Sequence, residues 1–197
     1  MNFCPEKRRA NSILCAKGSL STCITTTEVR ERCGQYLLES RWVSLLPEIS
    51  KQALNLKMGE NAAFEKATAI TRWIYTEFTY EPGMTDVKTH LEQAFSLRKG
   101  VCQDFTHVMI GMCRFIGLPA RYASSYILSG GGESLVGSQA SHAWCEIYLT
   151  DSGWIGFDPT NAVLADQRYI KLRWGAITEM SRRSLAPMWA TRSAGWN

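Results

Sequence analysis

The sequence predicts an α+β fold, because its two halves carry different hydrophobic periods. Between residues 60 and 117, apolar side chains recur every three or four positions, as they do on one face of a helix. After residue 119 the pattern changes to short runs in which apolar and polar residues alternate, separated by the turns "SGGGES" and "TDSG". Helices followed by consecutive strands with tight turns favour an antiparallel sheet with helices packed on it.

Three helices are predicted in the first half. The segment "GENAAFEKATAITRWIYTEFTY" has apolar residues at helical spacing and is stopped by the following "EPG". A short helix in "THLEQAFSLRKG" opens with a capping box, Thr89 followed by Glu92, and ends in basic residues and a glycine. The third helix runs from about Cys102 to Ile116, where Gly117 and a proline end it. Its predicted apolar side consists of Phe105, Met109, Met112, Cys113 and Ile116.

The strands are predicted in the second half, with one addition in the first. Alternation indicates strands in "ARYASSYIL", "SHAWCEIYL", "WIGFDP" and "YIKLRW". The stretch "YLLESRWVSLLP", residues 36–47, is interpreted as a strand entering a turn. Residues 1–34 show no convincing period and are interpreted as a leader, whereas residues 35–174 are predicted to form one core domain.

Composition narrows the class of protein. A hydrophobic fraction of 45% and a charged fraction of 20% are typical of a globular domain. The net charge of +4 is spread too thinly to predict nucleic-acid binding, and no apolar run is long enough to cross a bilayer. Seven cysteines without an export signal predict reduced thiols and a cytoplasmic location. A zinc site among Cys4, Cys15, Cys23 and Cys33 is disfavoured, because no C-x-x-C pair occurs.

The hairpin around "TDSG" places two chemically useful side chains together. On each strand one alternate set of residues is apolar, including Cys145 and Ile147 on the first and Phe157 on the second, and this set is expected to face the core. His142 and Asp158 then share the opposite face of neighbouring strands. A simple turn does not bring them into direct register, so we expect a bulge or a diagonal contact between them.

Cys102 supplies the third element of a candidate catalytic site. It stands at the start of a helix, where free N–H groups and the helix dipole favour thiolate over thiol. We expect His142 to form an ion pair with this thiolate and to protonate a leaving amine, and Asp158 to hold the other ring nitrogen. The backbone N–H of Cys102 is expected to help bind an oxyanion. Each residue taken singly has an ordinary structural explanation, and only their joint placement favours catalysis.

The sequence resembles the transglutaminase-like superfamily, in particular its bacterial transglutaminase-like cysteine peptidases. The resemblance spans roughly Ala69 to Trp174 and rests on "GVCQDF", "SHAW" and "GWIGFDPT" in that order. It implies a papain-like core, with Cys102 as nucleophile, His142 as base and Asp158 as the orienting carboxylate.

Further residues receive supporting assignments. The resemblance gives Gln103 and Asp104 supporting roles after the nucleophile. The remaining candidates come from position: Asn161 is expected to shape the site, Trp144 and Trp154 either to wall the cleft or to pack, His107 to be structural and His90 to be solvated. For substrate binding we take Trp144, Trp154, Gln103 and Asn161 as the candidate residues.

The segment 175–197 departs from the family pattern. Relatives tend to continue with a G-R-D-Y-x-D-V-like strand, whereas this chain reads "AITEMSRRSLAPMWATRSAGWN". One permissible codon choice for residues 176–180, GCG ATT ACC GAG ATG, spells Asp-Tyr-Arg-Asp when it is translated from its third base. We therefore hypothesise that this irregular tail is an out-of-frame product. The nucleotide sequence of the gene tests this.

The sequence leaves three functions open. The favoured one is thiol-dependent hydrolysis of amide bonds in a peptide or protein substrate, with no metal or organic cofactor and no nucleic-acid or membrane partner. The second is transglutaminase-type acyl transfer to an amine, which shares the same thioester intermediate. The third is a non-catalytic relative that binds peptides in the cleft. The triad alone does not distinguish the first two, and the oligomeric state is not indicated.

Overall fold

The structure is a computed structural model that describes residues 27–56, 62–85, 90–128, 135–137 and 141–175. The predicted irregular tail beyond residue 175, most of the predicted leader and Thr89 of the predicted capping box lie outside these residues. So do three of the four cysteines considered for zinc; the fourth, Cys33, is buried. In the described part of the chain, no helix is both long and apolar enough to cross a membrane.

Five α-helices precede the main sheet within the described ranges. Their order matches the predicted helical first half, and two of the predicted helices have nearly the predicted bounds. The helices are α1 (Thr27–Cys33), α2 (Pro47–Asn55), α3 (Ala63–Glu77), α4 (Leu91–Leu97) and α5 (Cys102–Phe115), with a 3-10 turn at Gly34–Tyr36.

The strand predicted over residues 36–47 is wrong. The segment forms the end of the 3-10 turn, then a tight turn closed by a bridge between Ser40 and Val43, and then the start of α2 at Pro47. Val43 is fully buried in the core, so the apolar residues of this segment are used to anchor a turn. Proline suits the first position of a helix because its missing N–H would have no intrahelical partner there.

The main sheet has five antiparallel strands, which confirms the α+β prediction. The strands are β1 (Thr79–Tyr80), β2 (Lys99–Gly100), β3 (Ala120–Ile127), β4 (Ser141–Leu149), β5 (Gly153–Asp158), β6 (Val163–Leu164) and β7 (Tyr169–Gly175). The order in the main sheet is β6-β5-β4-β3-β7, so the last strand returns to pair with β3 at the far edge. The two-residue strands β1 and β2 form a separate parallel pair that leads into α5.

Helix α5 is the centre of the core and is buried on all sides. It packs against β4 and β3 on one side and against α2, α3 and α4 on the others. Consequently its polar residues Thr106, His107 and Arg114 are buried together with the predicted apolar side, of which only Ile116 is half-buried. Gly111 lies where a Cβ would already touch Ile49, Leu91 and Val43, at 3.6 Å from each.

Arg114 is the polar anchor at the end of this helix. Its Nε and Nη2 donate to the carbonyl of Ala120 at 3.1 and 2.9 Å, and Nη1 donates to the carbonyl of Leu38 at 2.6 Å. Burial lowers the pKa of Arg114 to about 10. One side chain therefore ties α5 both to the start of the sheet and to the turn before α2.

Candidate active site

Cys102 is the first residue of α5, and two kinds of contact fix the segment that precedes it. Arg98 has a left-handed backbone (φ 53°) and ends α4, and its guanidinium stacks on the rings of Trp73, Phe78 and Phe95 at 4.2 to 4.9 Å. The backbone then pairs through β2 with β1. Cation–π stacking and strand pairing together fix the direction in which the chain enters α5.

Asp104 fastens the first turn of α5. Its Oδ2 accepts hydrogen bonds from the Val101 N–H at 2.8 Å and from the Thr85 hydroxyl at 2.6 Å. The carboxylate lies so close to Gly100 that a Cβ on this residue would collide with Oδ2. An acidic residue at this position also stabilises the positive end of the helix dipole. The supporting role predicted for Asp104 therefore has a structural basis: it holds the turn that presents the thiol.

The N–H groups of Cys102 and Gln103 begin the helix, so neither has an intrahelical acceptor. Cys102 is 9% exposed, whereas the other described cysteines, Cys33, Cys113 and Cys145, are 3% exposed or less. Gln103 is half-buried in the same turn. A free thiol beside unsatisfied backbone donors is the arrangement that binds an oxyanion next to a nucleophile.

His142 and Asp158 meet diagonally across β4 and β5. The last paired residues of these strands are Cys145 and Phe157, so the register continued by one position sets Asp158 opposite Trp144, two residues from His142. The contact is nevertheless direct, with Nε2 of His142 2.8 Å from Oδ2 of Asp158. Of the two geometries that the sequence allowed, the structure has the diagonal one.

The Asp158 carboxylate is held by five hydrogen bonds. Oδ1 accepts from the backbone N–H groups of Thr160 at 2.8 Å and Asn161 at 3.3 Å. Oδ2 accepts from the His142 ring, from Nδ2 of Asn161 at 2.7 Å and from the Tyr169 hydroxyl at 2.8 Å. Because so many donors converge on one buried carboxylate, its position and its negative charge are both fixed.

Tyr169 is a contributor to this site that sequence reasoning missed. It is the first residue of β7, and its ring packs edge-on against Trp144 with centroids 5.1 Å apart. Its only sequence signal is a polar-tipped aromatic residue at the start of an otherwise apolar strand. Burial, followed by the charge of Asp158, raises the pKa of Tyr169, so its hydroxyl stays protonated and donates.

The electrostatics of the pair favour an imidazolium and a carboxylate. Burial alone would lower the pKa of His142, but the hydrogen bond with Asp158, the interaction with the nearby Cys102 thiol and the charges of both groups outweigh it and raise the pKa to about 10. Burial would raise the pKa of Asp158, yet its hydrogen bond and charge interaction with His142 hold it below its ordinary value. Each partner therefore stabilises the charged form of the other.

The Cys102 thiol lies close enough to the His142 ring to raise its pKa. Since Nε2 is occupied by Asp158, Nδ1 is the ring nitrogen left for the sulfur, and it has no hydrogen-bond partner among the residues that the structure describes. Catalytic contacts are often loose without substrate. Two tyrosines also lie near the sulfur: burial first and the charge of Cys102 second raise the pKa of both Tyr80 and Tyr122.

The two tryptophans proposed for the cleft lie in different places. Trp144 is buried and packs against Tyr169, which in turn donates to the Asp158 carboxylate. Trp154 lies toward the opposite end of β5 from Asp158, where its ring is 4.9 Å from that of Tyr36 and 3.9 Å from the guanidinium of Arg121. Trp154 therefore packs in a second cluster that includes α1 rather than beside the triad residues.

The other two histidines lie away from the candidate site. His107 is buried in α5, with its ring 5.5 Å from that of Tyr122, and burial together with Arg114 lowers its pKa to about 4. His90 is exposed and precedes α4 as its N-terminal cap. The structure thus brings together Cys102, His142 and Asp158, and it leaves the other two imidazoles elsewhere.

Comparison with known proteins places this chain in a family. The family model described as the transglutaminase-like superfamily matches residues 51–159. An uncharacterized protein of Mycobacterium tuberculosis is 40% identical over 104 residues, which cover 49% of this chain and 33% of that protein. A protein-glutamine gamma-glutamyltransferase of Pseudomonas aeruginosa is 28% identical over 107 residues, 51% of this chain and 16% of that one.

Solved structures show the same fold. A protein from Cytophaga hutchinsonii, assigned provisionally as a cysteine protease, superposes with a TM-score of 0.67 at 28% identity, over 80% of this chain and 51% of that one. The periplasmic domain of TgpA from Pseudomonas aeruginosa gives a TM-score of 0.50 at 23% identity, over 70% and 49% of the two chains. The present chain thus spans about a third of the length of the mycobacterial relative and about half of each of these solved chains.

Proposed function

This chain belongs to the transglutaminase-like superfamily, and from that premise we propose that it cleaves amide bonds of peptides or proteins through a thioester on Cys102. The observation that carries the proposal is the hydrogen bond between His142 and the buried Asp158 carboxylate, together with a Cys102 thiol close enough to the same ring to raise its pKa. The family is generally enzymatic, and a buried imidazolium–carboxylate pair beside a free thiol is the equipment that acyl transfer requires.

The first half-reaction forms the thioester. The Cys102 thiolate attacks the amide carbonyl, and the resulting oxyanion accepts hydrogen bonds from backbone N–H groups at the start of α5. The C–N bond then breaks as the His142 imidazolium transfers its Nδ1 proton to the leaving amine. Asp158 keeps the Nε2 proton in place throughout, so that the ring presents Nδ1 to the sulfur.

The second half-reaction releases the acyl group. Neutral His142 removes a proton from water, the hydroxide oxygen bonds to the thioester carbon, and the sulfur departs as thiolate beside a restored imidazolium. Hydrolysis is the reaction we favour. A primary amine in place of water gives transamidation, which the named activity of the Pseudomonas aeruginosa relative makes the second candidate. A cytoplasmic location and the absence of nucleic-acid and membrane partners stay predictions.

Incubation with a library of glutamine-containing peptides tests the proposal. We expect a covalent acyl adduct on Cys102, detected by mass spectrometry of the intact protein and its fragments, that disappears in Cys102→Ala and persists in the matched variant Cys33→Ala. Addition of a primary amine then separates the two candidates, because transamidation incorporates the amine and hydrolysis gives the free acid. A library that leaves no adduct on folded protein, under conditions where Cys102 is readily alkylated, would favour the non-catalytic reading.

A further inference from the structure

A short piece of the connection between β3 and β4 returns to the active site. Leu135 is 9% exposed and packs in a cluster with Trp144 and Tyr169, and the Tyr169 hydroxyl donates to the Asp158 carboxylate. Gly137, two residues later, lies against the His142 ring. Residues 135–137 are therefore part of the wall around the imidazole.

Asn161 joins this piece of chain to the catalytic carboxylate. Its Oδ1 accepts the Val136 N–H at 2.8 Å, while Nδ2 donates to the Val136 carbonyl at 3.2 Å and to Oδ2 of Asp158 at 2.7 Å. Both amide hydrogens are thereby used, one on each partner. The side chain pairs with the Val136 backbone much as a neighbouring strand does, and so it fixes the orientation of the adjoining peptide groups.

Gly137 is the point at which this piece of chain touches the imidazole. A Cβ on Gly137 would lie 2.5 Å from Nδ1 of His142, closer than such atoms can approach, and at a tight 3.3 Å from Cγ. The backbone also has φ +88°, a conformation that residues other than glycine rarely adopt. The main chain at residue 137 therefore lies directly against the Nδ1 edge of the ring.

The bond to Asp158 alone does not fix this ring. A single hydrogen bond at Nε2 leaves the imidazole free to tilt about that contact, and Nδ1 at the opposite end has no aligned partner among the described residues. Three titratable groups in the described part of the chain face the ring, namely Cys102 from α5, Asp158 from β5 and Tyr169 from β7. Close packing of uncharged main chain near Nδ1 would limit this tilt.

We propose that Asn161 is a positioning residue that holds Val136 so that Gly137 confines the His142 ring with Nδ1 directed at Cys102. This assigns Asn161 a role in orienting the catalytic base, whereas the sequence suggested contact with substrate. The inference rests on the proposed function, since the direction of Nδ1 matters only where the imidazole pairs with the thiol.

Two variants separate this role from a simple effect on the carboxylate. Asn161→Ala and Tyr169→Phe each remove one donor from Oδ2 of Asp158, but only Asn161→Ala releases Val136. The full chain is used in two measurements that need no substrate. The first is the amide exchange rate of Val136 by NMR, and the second is the pH dependence of alkylation of Cys102 by iodoacetamide.

In Asn161→Ala we expect Val136 to exchange about tenfold faster, as the loss of one hydrogen bond predicts. The pH midpoint of Cys102 alkylation is expected to rise by about half to one pH unit, because a tilted ring pairs less well with the thiolate. In Tyr169→Phe we expect the Val136 exchange rate to stay unchanged and the alkylation midpoint to move less than half as far.

Unchanged exchange or an unchanged alkylation midpoint in Asn161→Ala overturns the inference, and so does an equal shift of the midpoint in Tyr169→Phe. If Asn161→Ala does not fold, Gly137→Ala tests the same contact from the other side, and an unmoved alkylation midpoint there is equally contrary. Neither measurement involves an acyl donor. If the exchange and alkylation results contradict the positioning role, the proposed reaction is unaffected. If no acyl adduct forms, the exchange and alkylation measurements still test the positioning role.

Discussion

The replacement of Asp158 by asparagine tests the electrostatic core of the site. Asp158 and Cys102 together raise the pKa of His142 from 6.5 to about 10, a change worth about 5 kcal/mol. Asparagine has nearly the same shape but no charge, so burial and the remaining contacts then determine the pKa. We expect it to fall toward the ordinary value or below it.

The effect of this change on the reactivity of Cys102 can be calculated at pH 8. A pKa of about 10 leaves about 99% of His142 as imidazolium, whereas a pKa near 6.5 leaves about 3%, so the population able to pair with the thiolate falls about thirtyfold. The rate of Cys102 alkylation at pH 8 is expected to fall with it. Asp151→Asn, which makes the same chemical change in an exposed turn, serves as the control.

The assay is an NMR titration of histidines labelled with nitrogen-15. The chain contains three histidines, and His107, whose pKa burial and Arg114 lower to about 4, provides an internal reference. Only His142 is expected to move in Asp158→Asn. Titration of His142 near pH 6.5 in the wild-type protein would refute the reasoning, and so would a value that stays near 10 in the variant.

The same substitution changes how stability depends on pH. The raised pKa of His142 means that its pairing stabilises the fold fully below about pH 6.5 and is lost as the pH rises through about 10. The lowered pKa of Asp158 means that its contribution is present above its ordinary value of 3.8 and is lost as the pH falls below it. Asp158→Asn should therefore flatten the pH dependence of the unfolding free energy at both ends.

Three further outcomes are expected. Gly100→Ala should lower the unfolding free energy by about 2 kcal/mol in urea titrations, because its Cβ displaces the Asp104 carboxylate; Gly34→Ala, which has open space around it, should change little, and equal effects would contradict this explanation. Arg114→Met should cost about 3 kcal/mol in the same assay, since it removes three hydrogen bonds, two of them to the carbonyl of Ala120 in the core and one to the partly buried carbonyl of Leu38, and a loss below 1 kcal/mol would be contrary. Iodoacetamide should modify Cys102 ahead of the other described cysteines, which are less exposed, as peptide mass mapping can check.

Periodicity predicted the long elements well. The helix that begins at Cys102 and the strands that carry His142 and Asp158 were all predicted from the sequence, because an uninterrupted run of several residues shows its hydrophobic period clearly. The two-residue strands β1, β2 and β6 were not predicted, since two residues show no period. Val43 misled the interpretation of residues 36–47, because a core residue in a tight turn leaves the same apolar signal as one in a strand.

Some residues of the candidate site could be predicted from the sequence, and others could not. Cys102, His142 and Asp158 carry chemistry that the sequence displays, and the structure brings them together. Tyr169 and Gly137 reach the site only through tertiary structure, because β7 pairs with β3 out of chain order and a piece of the β3–β4 connection returns to the imidazole. No local pattern distinguishes a tyrosine that donates to a buried carboxylate from one that begins an ordinary strand.

The burial of α5 on every side gives Cys102 a second significance. Because protein packs around this helix on all sides, we expect a cavity created in the core by mutation to shift the helix and, with it, the Cys102 thiol at its first residue. The alkylation rate of Cys102 would then report on how well the core is packed. Core variants far from the cleft can be ranked by this rate before any substrate is known.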